Sequence, residues 1–455
     1  MILLENLATG GWFLVAICIL VAIHEYGHFI VARWCGVKVL RFSIGFGKPL
    51  LRYTGKHGTE FVISAIPLGG YVKMLGENDS EFEESERNQS FGAKSVWQRI
   101  AIAAAGPVAN FLLAILLYWV LFLQGTVSYS PVIGSVEPGS IAAQAGLEVG
   151  QEIMSIDGIA TPSRRAVSAH LITRLGESGE ITFTYKYTND SDLVYESSAI
   201  IDEWLRTAEE PDLIKGLGIN FFFPISPKVV GLVLADTPAE AAGFKLGDEL
   251  LASDGQAIET WVKWVDYVKA RAGQPIETTV MRNGKLVVLT VTPESIKDNT
   301  GATIGRIGMG PEAVRFPEDM RRAYDHGVLG AAAKAVQETI DTSYFLVISL
   351  KKLVIGDIST KNLSGPIGIA KVAADRARHG TSAFISFLAY LSVVLGVMNL
   401  LPIPILDGGQ IVYCLVEALK GSPASLATQA WGQKIGLAML AGVMFLAFYN
   451  DIMRL

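Results

Sequence analysis

The run His24-Glu25-Tyr26-Gly27-His28 carries the clearest chemistry in the chain. On a helix, histidines four residues apart share one face, so two imidazole nitrogens converge on one ion. The intervening glutamate then stands beside the open coordination position, where it can take a proton from water. A catalytic zinc wants a third protein ligand. His57, His170, His326 and His379 all fall in polar stretches. Asp407 is the better candidate, because it closes the run Asn399-Leu400-Leu401-Pro402-Ile403-Pro404-Ile405-Leu406-Asp407-Gly408-Gly409. Two prolines there break an apolar segment and let the chain turn the carboxylate inward. The bland alternative for Asp407 is an Asp-Gly turn at a membrane surface.

These residues need elements to hold them, and composition says which. The chain has 455 residues, 50% of them hydrophobic and 18% charged, with a mean hydropathy of +0.37. Soluble domains carry about 25% charged residues. The apolar excess is concentrated in four segments: Gly11 to Val31, Ile100 to Leu123, Phe384 to Leu401, and Ile435 to Tyr449 with a start near Ala430. Each approaches the roughly 20 residues that a membrane helix requires. Ionisable groups inside such a segment are costly and functional by default, which strengthens the reading of His24, Glu25 and His28. Residues 31–99 hold ten Lys/Arg and residues 1–30 none, so the 31–99 loop is expected on the cytoplasmic side and both termini outside. The net charge of −6 argues against a nucleic-acid partner. Cys18, Cys35 and Cys414 show no pairing scheme and read as small hydrophobes.

Residues 127–327 differ in kind, with 18 basic and 28 acidic residues in 201 positions, a soluble-domain composition. They contain a repeat at an offset of 97: Val136-Glu137-Pro138-Gly139-Ser140 through Asp157-Gly158 recurs as Val233 through Asp254-Gly255. The pattern resembles the PDZ domains of bacterial envelope proteases. Such domains bind extended peptides or C-termini beside a glycine-containing loop. The candidates for that loop are Gly216-Leu217-Gly218 and Gly305-Arg306-Ile307, which equally suit ordinary glycine turns.

Taken together, the motifs resemble the site-2 proteases, a family of zinc intramembrane metalloproteases, and within it the tandem-PDZ bacterial regulators of sigma-E. His24-Glu25-x-x-His28 matches the first family motif, Asn399-x-x-Pro402-x-Pro404-x-x-Asp407-Gly408 the second, and Ala105-Gly106-Pro107-Val108-Ala109-Asn110-Phe111 the signature of the second span. Gln410 stands where many relatives have histidine. The resemblance implies that His24, His28 and Asp407 hold one Zn²⁺, that Glu25 is general base and then acid, and that Asn399 holds substrate backbone or oxyanion. An interhelical hydrogen bond is the alternative for Asn399, and packing beside Gly106 is the favoured reading of Asn110. It also implies single-span membrane substrates: an anti-sigma factor in envelope stress signalling, or remnant signal peptides, trimmed outside beforehand. A catalytically idle PDZ scaffold or sorting factor with a structural metal is the reading from another class.

The expected fold is a polytopic α-helical membrane protein with four transmembrane helices, a membrane-associated β-hairpin region and two inserted periplasmic PDZ (α+β) domains. The expected divisions are 1–32 (first span), 33–98 (β region), 99–125 (second span), 127–222 and 223–312 (PDZ domains), 313–380 (periplasmic amphipathic helices) and 381–455 (third and fourth spans). In the β region, Val37–Leu40 and Phe61–Ile66 are β-rich, with turns at Gly45-Phe46-Gly47, Gly55 and Gly69-Gly70. An edge strand beside Gly45, Phe46 and Gly47 could receive the substrate, and a sheet that merely caps the helices is the alternative. The bilayer, the substrates and peptides at the PDZ domains are the expected partners. The expected location is the bacterial inner membrane, with the active site near the cytoplasmic leaflet.

Overall fold

The computed structural model describes residues 2–76, 83–188, 193–209, 211–298 and 301–454. Among these, four helices are long and apolar enough to cross a membrane: Thr9–Trp34 (within helix Ile2–Trp34), Val96–Phe122, Thr381–Asn399 and Ala427–Met453. The second span starts on a capping box, in which Ser95 accepts from the Gln98 amide and Gln98 returns a bond to the Ser95 backbone. The third stops at Asn399, where Pro402 and Pro404 forbid continuation. The chain then restarts as a helix, Asp407–Lys420, in the stretch between the third and fourth apolar segments. Gly408 and Gly409 permit the restart, because a Cβ on either would lie 2.3 Å from the carbonyl oxygen of Leu401 or Ile403.

Between the first two spans, strands Val39–Thr54 and Glu60–Met74 fold into one sheet. Residues 41–44 pair with 73–70 on one side and with 60–63 on the other, and 60–64 pair in turn with 54–49. The reversal at Gly45-Phe46-Gly47 uses positive φ at both glycines, +91° and +87°, which side-chain-bearing residues resist. Residues 70–73 thus form an outer edge with no further strand partner among the described residues.

The segment after the second span contains two units of the same topology, each with its own core. The offset of 97 recurs in the elements: helix Arg164–Thr173 matches Trp261–Lys269, and strand Gly179–Tyr187 starts 97 residues before Ile276–Arg282. Strand Thr126–Tyr129 belongs to neither unit. It pairs with Arg321–Tyr324, so the path into the repeats and the path out form one antiparallel neck. The expected boundary at 127 therefore cuts through a neck strand.

Helix Gly327–Ile355 leads back. Its Ala331 and Ala335 pack with Ala114 and Tyr118 of the second span and Ala389 and Val393 of the third, small residues that let backbones approach closely. Its other side meets the first repeat: Arg165 pairs with Glu338, and Lys352 Nζ donates to the Leu175 carbonyl (2.7 Å) and to Glu177 (2.9 Å). Glu338 and Lys352 are buried in these contacts. At the end of the fourth span, Asp451 accepts from the backbone amides of Gly365, Ile367 and Gly368 at 2.9–3.0 Å, capping helix Pro366–Arg378.

Candidate active site

The structure brings His24, Glu25 and His28 from the first span together with Asp407 from the first turn of helix Asp407–Lys420. His24 Nε2 lies 3.2 Å from His28 Nε2 and 3.2 Å from Asp407 Oδ2, and His28 Nε2 lies 3.5 Å from Asp407 Oδ1. Tetrahedral zinc with bonds of about 2.0–2.2 Å would set neighbouring ligand atoms about 3.3–3.6 Å apart. The three contacts thus have the spacing of neighbouring ligands in such a site, with the Asp407 carboxylate turning one oxygen to each ring. Asp407 Oδ2 is also buried and faces His24 Nε2, as an oxygen sharing an ion with that ring would. The donor set and its spacing fit zinc.

The approach of the first two spans depends on small residues. Gly106 lies directly under the rings: a Cβ there would stand 2.3 Å from His28 Nε2 and 2.8 Å from His24 Cε1. Gly27, inside the histidine motif, faces the Ala105 carbonyl at 2.3 Å by the same measure. His28 Nδ1 donates to the Ile102 carbonyl at 2.8 Å, which leaves Nε2 for a metal. The Asn110 amide, fully buried, lies 3.0 Å from His24 Nδ1, and Ser392 Oγ donates to the Asn110 carbonyl at 2.8 Å. Packing alone therefore does not describe Asn110. An asparagine within an apolar span was the available signal, and it does not by itself distinguish the two roles.

A cavity of about 700 Å³ opens on the ligand triangle. Val21, Leu395, Leu440 and Met444 contribute walls from the first, third and fourth spans. Asn399 lines it too, with its Nδ2 donating to the Leu395 carbonyl at 3.0 Å, so the amide is tethered within its own helix. Gln410 is also on the wall. The sheet edge supplies Gly69, Gly70, Tyr71 and Val72, and Gly70 is pressed so close that a Cβ would lie 2.8 Å from Glu25 Cγ. Sequence reasoning gave Gly69-Gly70 only a turn. Of the three residues named in the first turn, Phe46 reaches the cavity, stacked on Tyr71 at 6.2 Å, while Gly45 and Gly47 shape the reversal behind it.

The glycine loops of the two repeats lie elsewhere. Leu217 and Ile307 are core side chains of their respective units. In the first, Gly216 N donates to Asp212 O (2.7 Å) and Gly218 N to Lys215 O (2.8 Å), closing the end of helix Leu213–Leu217. Those two amides are spent inside the turn. Gly305 sits in a strand pair, where a Cβ would be 2.4 Å from the Val268 carbonyl, so close packing against helix Trp261–Lys269 explains it. These placements favour the ordinary-turn reading at Gly216, Gly218 and Gly305.

Comparison with known proteins agrees with the site chemistry. The model of Peptidase family M50 matches residues 12–443. The regulator of sigma-E protease RseP of Salmonella typhimurium is 40% identical over 453 residues, covering 100% of this chain and 99% of that protein. The Escherichia coli protein of the same name is 40% identical over 443 residues, covering 97% and 98%. A Vibrio cholerae relative whose description names a zinc metalloprotease is 40% identical over 443 residues, covering 97% of this chain and 98% of its own. A solved PDZ domain of an SdrC-like protein from Listeria innocua matches 20% of this chain and 97% of that domain, at 22% identity and a TM-score of 0.17. With a family model spanning nearly all of its length and full-length relatives at 40% identity, the chain belongs to peptidase family M50 and is a zinc metalloprotease.

Proposed function

We propose that this metalloprotease cleaves the membrane-spanning segments of single-span membrane proteins. One observation carries the reading: the ligand triangle and Glu25 share a cavity with span walls on one side and an unpaired sheet edge, Gly69–Val72, on the other. A helical substrate hides its scissile carbonyls in internal hydrogen bonds, and inside a membrane the unwound backbone needs new partners. The edge offers them by strand addition, holding the substrate extended beside Glu25. His24, His28 and Asp407 would hold zinc, which when bound supplies a Lewis acid that polarises the scissile carbonyl and acidifies water. Glu25 takes the proton from the attacking water and returns it to the departing amine. Asn399, on the same wall, holds the substrate backbone or the developing oxyanion.

The two repeats are read as PDZ domains outside the inner membrane, with both chain termini on that side and the active site toward the cytoplasmic leaflet. Relatives named as regulators of sigma-E support an anti-sigma factor as substrate, and remnant signal peptides have the same single-span form. The repeats then act as a receptor or size filter that admits substrates already trimmed outside. Glu25→Gln tests the chemistry. Cleavage of a single-span reporter should vanish while zinc stays near one per chain. A variant that keeps full function would instead make the protein a scaffold with a structural metal. Peptides that accumulate on the Glu25→Gln protein in membranes should be membrane segments, which identifies the substrates directly.

A further inference from the structure

We propose that Asn110 is a positioning residue for the metal site, its side-chain amide holding His24 in the tautomer that leaves Nε2 to the metal. The proposal rests on His24 being a zinc ligand. A neutral imidazole that binds through Nε2 must carry its proton on Nδ1, and that proton needs an acceptor. For His28 the acceptor is fixed: the Ile102 carbonyl, 2.8 Å from Nδ1, can only accept. For His24 the neighbour is an amide, with Asn110 Nδ2 3.0 Å from Nδ1. Nδ2 and Oδ1 have the same shape, so the amide can donate to Nδ1 or accept from it according to the ring's tautomer.

A half-turn of the amide about Cβ–Cγ exchanges the two atoms in place, and with Oδ1 toward Nδ1 the amide accepts the ring proton and leaves Nε2 to the metal. Oδ1 has no hydrogen-bond partner where it stands, so no protein bond on the oxygen opposes the turn. One amide atom lacks a protein partner in either orientation, and the choice falls to the His24 tautomer. The pivot itself is held. Asn110 lies mid-helix in the second span, and buried Ser392 of the third span donates to its carbonyl at 2.8 Å. The amide thus acts on the ring from a fixed backbone. Asparagine suits the position because an amide offers donor and acceptor in one shape; aspartate only accepts, and leucine does neither.

The test measures zinc affinity of the full-length protein in detergent by competition with a chelator, together with the melting temperature of the chelated protein. Asn110→Leu should bind zinc about 10–100-fold more weakly. Asn110→Asp should bind as tightly as wild type or tighter, since its carboxylate accepts from Nδ1–H without turning. A packing role would lower the melting temperature of both variants and leave their affinities alike. Where Asn110→Leu does not fold, Asn110→Ala gives the same reading with a side chain that fits. Wild-type affinity in the leucine or alanine variant, or equal weakening in the aspartate variant, overturns the proposal alone. A wild-type chain that takes up no zinc overturns the metal-site reading and the proposal with it.

Discussion

Gly106 has no functional group, yet the ligand triangle depends on it. An added methyl would occupy space 2.3 Å from His28 Nε2, so one ring must move, and contacts of 3.2–3.5 Å cannot absorb that and still keep the spacing of neighbouring ligands. Gly106→Ala should therefore lower zinc affinity at least about 10-fold, with cleavage falling in step and helix content unchanged by circular dichroism. An alanine variant that holds zinc like wild type would show that the rings have room to spare. Residues of this kind mark the limit of reading the chain by eye. His24, Glu25 and His28 are legible because their chemistry and spacing are local. Asp407 is legible because two prolines announce that an apolar segment ends beside a carboxylate. Gly106 and Asn110 act through space across two helices, and a glycine or asparagine in an apolar span looks the same whether or not a ring lies above it.

Elements were legible where one period ruled them and obscure where the chain doubled back. The sheet between the first spans has β-rich runs, but the pairing of 41–44 on both sides follows from reversals at 45–47 and 67–69 that no alternation encodes. Helix Asp407–Lys420 was hidden behind prolines and glycines that read as loop. The repeats were legible as repeats, and their matched positions now separate a shared device from a private one. Gln151 accepts from the Glu148 amide at 2.9 Å, and 97 residues on, Asp248 accepts from the Lys245 amide at 2.9 Å. Only Asp248 also binds a guanidinium, through two bonds of 2.7 Å from Arg282. Burial alone would raise its pKa, but the Arg282 bonds and the Lys245 amide outweigh that and hold it below the usual carboxylate range. A carboxylate with a depressed folded-state pKa stabilises fully above its unfolded value of about 3.9, and that contribution is lost as pH falls through the folded value. Asp248→Asn should cost on the order of 2 kcal/mol at pH 7. The gap from wild type should narrow progressively as pH falls below about 4. Unfolding followed by fluorescence in the full chain, where Trp261 and Trp264 are buried in the same unit, measures it. A gap that persists unchanged at pH 3 would assign the loss to shape instead of charge.

At the scale of the molecule, the membrane helices and the repeats meet at the neck, along helix Gly327–Ile355, and just beyond it, where Lys361 pairs with Glu209 and Asn362 Nδ2 donates to the Ala208 carbonyl. The filter reading predicts what happens when the repeats are removed. A cut placed at 127 would destroy the neck, so the informative deletion removes 130–320 and joins Tyr129 to Arg321 by a two-residue turn, which the antiparallel ladder accommodates. Glu338 would then lose Arg165 and keep only Lys334 at 3.9 Å, while Lys352 would lose both its partners, and Glu338→Gln with Lys352→Met removes those weakened charges. The shortened protein should keep its zinc and cleave a trimmed reporter, while intact and trimmed reporters become equal substrates. Retained preference for the trimmed form would place discrimination in the membrane part. The neck has a consequence for descent as well. Because the insert's two ends are bonded to each other, it joins the membrane part as a hairpin would, whatever its length. Genes could lengthen, double or discard what hangs from that ladder without retuning a single contact around the metal, and a 97-residue echo between two units is what such a doubling would leave.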